Sequence, residues 1–290
     1  MRYPPLCMTP SSDPRRESAP LARGGGPSLY FYVTLPRTPL VAAVGLLHGY
    51  GEHAGRYAHV MDAWARRGIG TVALDMRGHG RAEGPRGYCD RFDDYLDDAA
   101  QLTRLVGERA PGVSSFLFGH SFGGLVATSQ ILAEATPWRG LMLSAPYFGT
   151  ALKVPAAKRL AGQVASRFVP RLALPMGFHG SDVTHDPIRA RAYDEDPLVF
   201  GKATARWFVE AELAQSRALA RAPSLALPLY LVMGTKDPIA ELAAARAVMS
   251  AAGSKDKTSD IREGLFHEPC NELEWPQIVD ALADWMLARV

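Results

Sequence analysis

Residues 114–124 read Ser114-Ser115-Phe116-Leu117-Phe118-Gly119-His120-Ser121-Phe122-Gly123-Gly124. An apolar run of strand character ends at Gly119. From Phe122 a helix-compatible run continues through Leu125, Val126, Ala127, Ile131 and Leu132. Between them Gly119-His120-Ser121-Phe122-Gly123 spells G-x-S-x-G. The chain carries 27 glycines, so the letters alone could arise by chance. A strand before and a helix after are what turn them into a nucleophile elbow. There the flanking glycines leave room for a sharp turn and let the helix start close against the strand. The serine hydroxyl is lifted out of the packing, beside a helix N-terminus whose N–H groups point at developing negative charge.

Working outward, strands and helices alternate. Residues 28–35 alternate as an entry strand, and residues 41–47 are a continuous apolar run, as expected of a strand covered on both faces. Tyr57, Val60, Met61, Trp64 and Ala65 recur at helical spacing before Gly68, and residues 69–74 form the next buried strand. An amphipathic helix with an acidic start covers 92–109. Further strands are expected over 140–144, 228–234 and 258–262, a helix over 239–250, and a last helix that buries Trp275, Ile278, Leu282, Trp285 and Met286. This alternation predicts a mostly parallel sheet with helices on both faces. The stretch between Ser144 and Pro228 is too long for a loop. It reads as a helical cap, about 147–222, inserted over the carboxyl ends of the strands, where such sheets place their sites.

At 290 residues, 47% hydrophobic and 21% charged, the chain has ample length for a core, and a net charge of +2 gives no electrostatic case for nucleic acid. Cys7, Cys89 and Cys270 are too few and scattered for a disulfide framework and lack metal-ligand spacing, the usage of a reducing, cytoplasmic compartment. Residues 1–26 combine Pro, Ser, Arg and Gly with almost no apolar pattern and read as a disordered leader before a domain spanning 27–290. No run of 18 apolar residues occurs.

A serine nucleophile needs a base, and the base needs an acid to fix its tautomer. On an elbow sheet the chain order is serine, acid, histidine. Seven of the eight histidines precede the second half of the sheet or fall in the cap; His267, after the last strand, is the base. In the loop after 228–234, Thr235-Lys236-Asp237-Pro238, Asp237 is the only carboxylate. An Asp before Pro commonly makes a turn or caps a helix, and that reading stands beside the acid role. Asp182, Asp256 and Asp260 follow no buried strand directly. The oxyanion donors are expected to be the backbone N–H of Phe122 and of Tyr50, in the glycine-bent loop after 41–47. No metal or organic cofactor is called for, since neither H-E-x-x-H, a phosphate loop nor C-x-x-C occurs.

LLHGYGEHAGRY (46–57), DMRGHGRAEGPRG (75–87), GHSFGG (119–124), YDEDPLV (193–199), GTKDPIA (234–240) and EGLFHE (263–268) together resemble the monoacylglycerol lipase group of α/β-hydrolases, which also contains lysophospholipase-like esterases. The resemblance runs from about residue 26 to the end. It implies an α/β-hydrolase fold and a serine ester hydrolase acting on lipids with one acyl chain, with Ser121, Asp237 and His267 as triad and Tyr50 and Phe122 as oxyanion donors. It also implies that Glu52, Arg56 and Tyr193 lie near a glycerol head group. The residues themselves equally allow Glu52 and Arg56 to brace the following helix start and Tyr193 to fill the cap core. Two positions depart from the group: Arg81 replaces a usual serine, and Cys270 stands where mammalian members carry a second histidine.

The cap carries one further signal. Between residues 134 and 182 there is no acid, while Lys153, Lys158, Arg159 and Arg167 fall beside Val154, Ala157, Leu160, Ala161, Val164 and Phe168 at helical spacing. A basic amphipathic helix of this kind suits peripheral contact with an anionic membrane surface. It would also suit a helix that packs its apolar face on the main domain and solvates its charges. Lysophospholipids and short esters are alternative substrates, and a non-catalytic ligand-binding module is the alternative of another class.

Overall fold

The computed structural model describes residues 13–152 and 154–290. In chain order the elements are β1 (Arg15–Leu21), β2 (Leu29–Leu35), β3 (Ala42–Leu47), α1 (Ala58–Arg66), β4 (Ile69–Asp75), α2 (Asp93–Arg109), β5 (Ser114–His120), α3 (Phe122–Ala133) and β6 (Gly140–Ser144). Then come α4 (Ala156–Phe168), β7 (Ala173–Pro175), α5 (Gly180–Val183), α6 (Pro187–Glu195), β8 (Lys202–Thr204), α7 (Ala205–Arg221), β9 (Leu229–Gly234), α8 (Leu242–Ala251), β10 (Lys257–Arg262) and α9 (Trp275–Leu287).

Eight strands form one sheet in the order β1-β2-β4-β3-β5-β6-β9-β10. β1 and β2 pair antiparallel, as do β2 and β4, and the remaining neighbours are parallel. The continuous apolar runs have their cause in two cores. Ala42, Val44 and Leu46 of β3, with Phe116 and Phe118 of β5, face the layer holding Trp64 of α1 and Leu282 of α9. Ala43 and Leu47, with Leu117, face the other layer, built on α2, α3, α7 and α8. Successive side chains point to opposite faces, so a strand covered on both has no polar position. Each fully buried leucine or phenylalanine contributes about 1.5–3 kcal/mol.

Residues 15–21 correct the expectation of a disordered leader. They form β1, paired with β2 from Arg15 opposite Leu35 to Leu21 opposite Leu29. Its side chains are mostly exposed, so no apolar alternation marks it. An edge strand of this kind is held by its backbone ladder. Arg16 adds an ion pair to Asp62 at 2.7 Å and Glu17 one to Arg109 at 2.8 Å. Residues 1–12 of that expectation lie outside the described residues, as does Lys153. The helix expected over 239–250 starts at Leu242, because Asp237 Oδ1 accepts the amides of Ile239 (2.8 Å) and Ala240 (2.9 Å) and holds a turn there.

Between β6 and β9 the chain leaves the sheet. In this excursion β7 and β8 pair antiparallel, and α7 lies along both α3 and α4. β3, β5, β9 and β10 run in the same direction, so their carboxyl ends lie at the same end of the sheet.

Candidate active site

Ser121 joins β5 to α3 with φ +50° and ψ −119°. A side chain at such angles costs about 1–3 kcal/mol and persists only where the surroundings impose it. Here they do. Ser121 N donates to Ser144 O at 2.9 Å, and Ser121 O accepts from Gly124 N and Tyr147 N, each at 2.9 Å. A Cβ on Gly119 would lie 2.5 Å from Gly123 O, so the strand and the helix start approach closer than any other residue allows.

His267 Nε2 lies 2.8 Å from Ser121 Oγ, and His267 Nδ1 lies 2.8 Å from Asp237 Oδ2. With Nδ1 carrying its proton toward Asp237, Nε2 accepts from the serine hydroxyl. The other oxygen of Asp237 holds the turn described above, so the turn reading and the acid reading are both satisfied by one side chain. Two loops place the pair. Lys236 N donates to Leu265 O (3.1 Å) and Gly264 N to Thr235 Oγ1 (2.9 Å). Burial opposes an imidazolium at His267, but the charge of Asp237 and its hydrogen bond outweigh it and raise the pKa above 6.5. Burial likewise disfavours a charged Asp237, yet the charge of His267, its hydrogen bond and the two amides leave the carboxyl below its ordinary value.

The loop after β3 reaches the elbow. A Cβ on Gly49 would stand 3.3 Å from Ser121 Cβ, and one on Gly123 would stand 2.3 Å from Leu47 O and 2.4 Å from His48 O. The backbones of this loop and of the α3 start therefore touch beside the serine, bringing Tyr50 and Phe122 to it. Next to the nucleophile, burial drives His120 down to about 4, with His267 adding to the effect, so this imidazole is neutral at pH 7.

Glu52 and Tyr193 line the cavity described below. The Glu52 carboxylate accepts from Gly49 N (2.6 Å), Tyr57 OH (2.7 Å) and Arg56 Nη1 (2.5 Å). Arg56 also grips Glu268 with both Nη atoms at 2.7 Å and lies 4.8 Å over the Tyr193 ring. Burial would push the Glu52 carboxyl up, but Arg56 beside it holds it well below the usual range. The chain Gly49–Glu52–Arg56–Glu268 thus ties the loop after β3 to the residue following His267.

Sequence reasoning missed Glu268, Asn271 and Glu272. Asn271 Nδ2 donates to Glu268 Oε2 at 2.8 Å, while Glu272, fully buried, accepts from Phe266 N at 2.8 Å and His185 N at 2.9 Å. The available signal was two acids spaced through Glu268-Pro269-Cys270-Asn271-Glu272 directly after the histidine. Arg81 points away, 5.4 Å over the Tyr30 ring, and burial lifts the Cys270 thiol to about 12. Among the described residues no cluster of three His, Cys, Asp or Glu side chains is arranged to hold a metal ion.

A cavity of about 650 Å³ meets Ser121 and His267. Its walls are mostly apolar and come largely from the excursion, including Leu152, Leu174, Met176, Phe178 and Phe208, with Lys158 also lining it. α4 forms one side and is inverted relative to an ordinary surface helix. Small residues, Gly162, Ala165 and Ser166, are its least exposed, and Gly162 faces Phe208 of α7. Leu160, Val164 and Phe168 are 63%, 53% and 74% exposed. Of the two readings of this helix, the one in which α4 packs its large apolar residues on the main domain therefore does not hold; small residues face α7 instead. Among the described residues no helix is long and apolar enough to cross a membrane.

A strained serine bonded to a buried histidine–aspartate pair, on this sheet order, defines a serine hydrolase of the α/β-hydrolase fold. The chain belongs to the family described as serine aminopeptidase, S33 (Hydrolase_4), whose model matches residues 38–274. It is 28% identical over 267 residues to a monoacylglycerol lipase of Mycolicibacterium smegmatis, covering 92% of this chain and 95% of the relative. It is 28% identical over 276 residues to the monoglyceride lipase of Homo sapiens, covering 94% and 90%. The crystal structure of Paleococcus ferrophilus monoacylglycerol lipase superposes with a TM-score of 0.82 at 28% identity, covering 90% of this chain and 99% of that one.

Proposed function

We propose that the protein hydrolyses single-chain lipid esters, monoacylglycerols foremost, to fatty acid and alcohol. The observation that carries this reading is the Asp237–His267–Ser121 relay, with 2.8 Å at both links, facing an apolar cavity able to take one acyl chain. Relatives bearing that activity in their names match over nearly the whole chain. Ser121 attacks the ester carbonyl as His267 takes its proton, and Asp237 steadies the imidazolium. The N–H groups of Tyr50 and Phe122 hold the oxyanion. His267 then protonates the leaving glycerol, and water, activated by the same base, releases the acid from the acyl-enzyme.

The excursion, with boundaries near 147 and 222, serves as the cap over this site. Glu52 and Tyr193 supply the head-group side of the cavity, and Arg56 acts there through them. The exposed Leu160, Val164 and Phe168 beside Lys158, Arg159 and Arg167 suit docking on an anionic lipid surface. A hydrolysis panel tests the substrate. Monoacylglycerols should turn over faster than lysophosphatidylcholine or short p-nitrophenyl esters. Turnover of lysophosphatidylcholine with inertness to every monoacylglycerol would overturn the reading.

A further inference from the structure

Tyr50 is bound at both ends of its side chain by parts of the molecule distant in sequence. Its hydroxyl stands 2.9 Å from Gly87 O and 3.1 Å from Lys202 O, shared between the loop after β4 and strand β8. Its ring stacks on Trp207 of α7 with centroids 3.6 Å apart and an interplanar angle of 27°. The next residue is held as well: Phe200 N donates to Gly51 O at 2.8 Å. Gly51 has φ +80°, and a Cβ there would come within 2.6 Å of Phe200 O. Residues 50 and 51 therefore meet the excursion at Phe200, Lys202 and Trp207.

We propose that the Tyr50 side chain is a positioning residue, which sets the direction of its own backbone N–H by clamping the oxyanion loop to β8 and α7. Acylation is thereby made to depend on how the excursion is seated. The proposal rests on the assignment of Tyr50 N–H to the oxyanion hole. An oxyanion donor works only within a few tenths of an ångström of its acceptor, and a misplacement of about 1 Å costs on the order of a hundredfold in rate. Gly49 and Gly51 are held through their backbones, Gly49 N by Glu52 Oε1 at 2.6 Å and Gly51 O by Phe200 N at 2.8 Å, but neither carries a side chain to resist such a drift of the residue between them. Fixing the tyrosine between them from outside supplies that resistance. A ring that only walled the cavity would need no hydroxyl directed at two carbonyls.

The experiment is the labelling of Ser121 by an alkyl fluorophosphonate, whose phosphonyl oxygen takes the oxyanion position, in Tyr50→Phe. This variant keeps the ring and its stack and loses the hydroxyl. The maximal labelling rate should fall about fivefold to tenfold, the scale of one neutral hydrogen bond, with the half-saturating probe concentration unchanged. Tyr230→Phe removes a comparable tyrosine bond, to Asp260 Oδ2 at 3.1 Å near the start of β9, and should leave the rate as in the parent. An undiminished maximal rate in Tyr50→Phe overturns the proposal. So does a loss confined to the half-saturating concentration, which would make Tyr50 a wall, or an equal loss in Tyr230→Phe, which would make the effect one of general stability. Parent protein that labels at a residue other than Ser121 would instead bring down the nucleophile assignment itself, a separate failure.

Discussion

The loop that carries His267 and the helix α4 border the same cavity and are built by opposite rules. Around His267 each polar group has a partner chosen for it. Asp237 divides its two oxygens between an imidazole and two amides, Glu268 is gripped by Arg56, and the fully buried Glu272 fixes the amide of Phe266. Such a network has one low-energy arrangement, because each unpaired member would carry the full cost of a buried polar group. On α4 the reverse holds. The helix rests on α7 through glycine, alanine and serine, and its leucine, valine and phenylalanine face outward. Arg206 Nη2 donates to Ser166 O at 2.8 Å and ties the helix to α7, but its large apolar side chains are left uncovered. One wall is fixed by paired polar groups, and the other turns apolar side chains outward.

The rigid wall gives the largest expected effects. Ser121→Ala should lower kcat roughly a millionfold, as in other triads, while the thermal midpoint is preserved. Turnover within a factor of ten of the parent would remove Ser121 from the chemistry. Asp237→Asn comes next, with a loss of about ten-thousandfold. It also separates two contributions to the pKa of His267. In the parent, catalysis needs the neutral imidazole, so kcat/KM falls as pH drops through a value raised above 6.5. Without the aspartate charge burial is opposed only by the weaker pull of Glu268 and Glu52, and the acid limb of the profile should move to lower pH. The same shifts set stability in opposite senses. The raised pKa of His267 contributes below the unfolded value and is lost as pH rises through the folded one. The lowered pKa of Asp237 contributes above its unfolded value and is lost as pH falls through the folded one.

The two walls differed as much in legibility. β3, β5, β6 and β9 announce themselves because burial on both faces excludes polar residues, and the elbow, the strand-end aspartate and the late histidine follow from their order. β1 was illegible for the same reason in reverse: an edge strand held by backbone pairing and ion pairs needs no pattern in Arg15–Leu21. β7 and β8, three residues each, are too short for any period to show. Glu268 and Glu272 act through partners as far as 212 residues away, Arg56 being one, and nothing local distinguishes a buried network acid from a solvated one. On α4 the amphipathic period was plain, but which face would be covered depended on α7, distant in sequence, which packs on its small residues.

The outward-facing wall is tested by changes that leave the first wall intact. Leu160→Ser with Phe168→Ser should reduce hydrolysis of monoacylglycerol presented in vesicles on the order of a hundredfold or more, since burying each exposed side chain in lipid is worth about 1.5–3 kcal/mol. Hydrolysis of a soluble p-nitrophenyl acetate should change less than twofold. Equal losses on both substrates would place these side chains in the fold of the site and dissolve the contrast between the walls.

The smallest effect is also the most selective. A lysine or arginine near an anionic membrane contributes about 1 kcal/mol, or about fivefold in partition, and the contribution fades as salt shortens the screening length. Arg159 is partly committed, 3.4 Å from Glu212, so Arg167 is the cleaner probe. In flotation with vesicles containing anionic lipid at low salt, Arg167→Gln should bind about fivefold more weakly than the parent. Raising the salt should bring the two together, and on neutral vesicles they should not differ at any salt. Leu160→Ser with Phe168→Ser should keep its defect on both vesicle types, because apolar burial does not depend on headgroup charge. If instead Arg167→Gln were defective on neutral vesicles too, the guanidinium would be holding α4 in shape, and the helix would belong with the rigid wall.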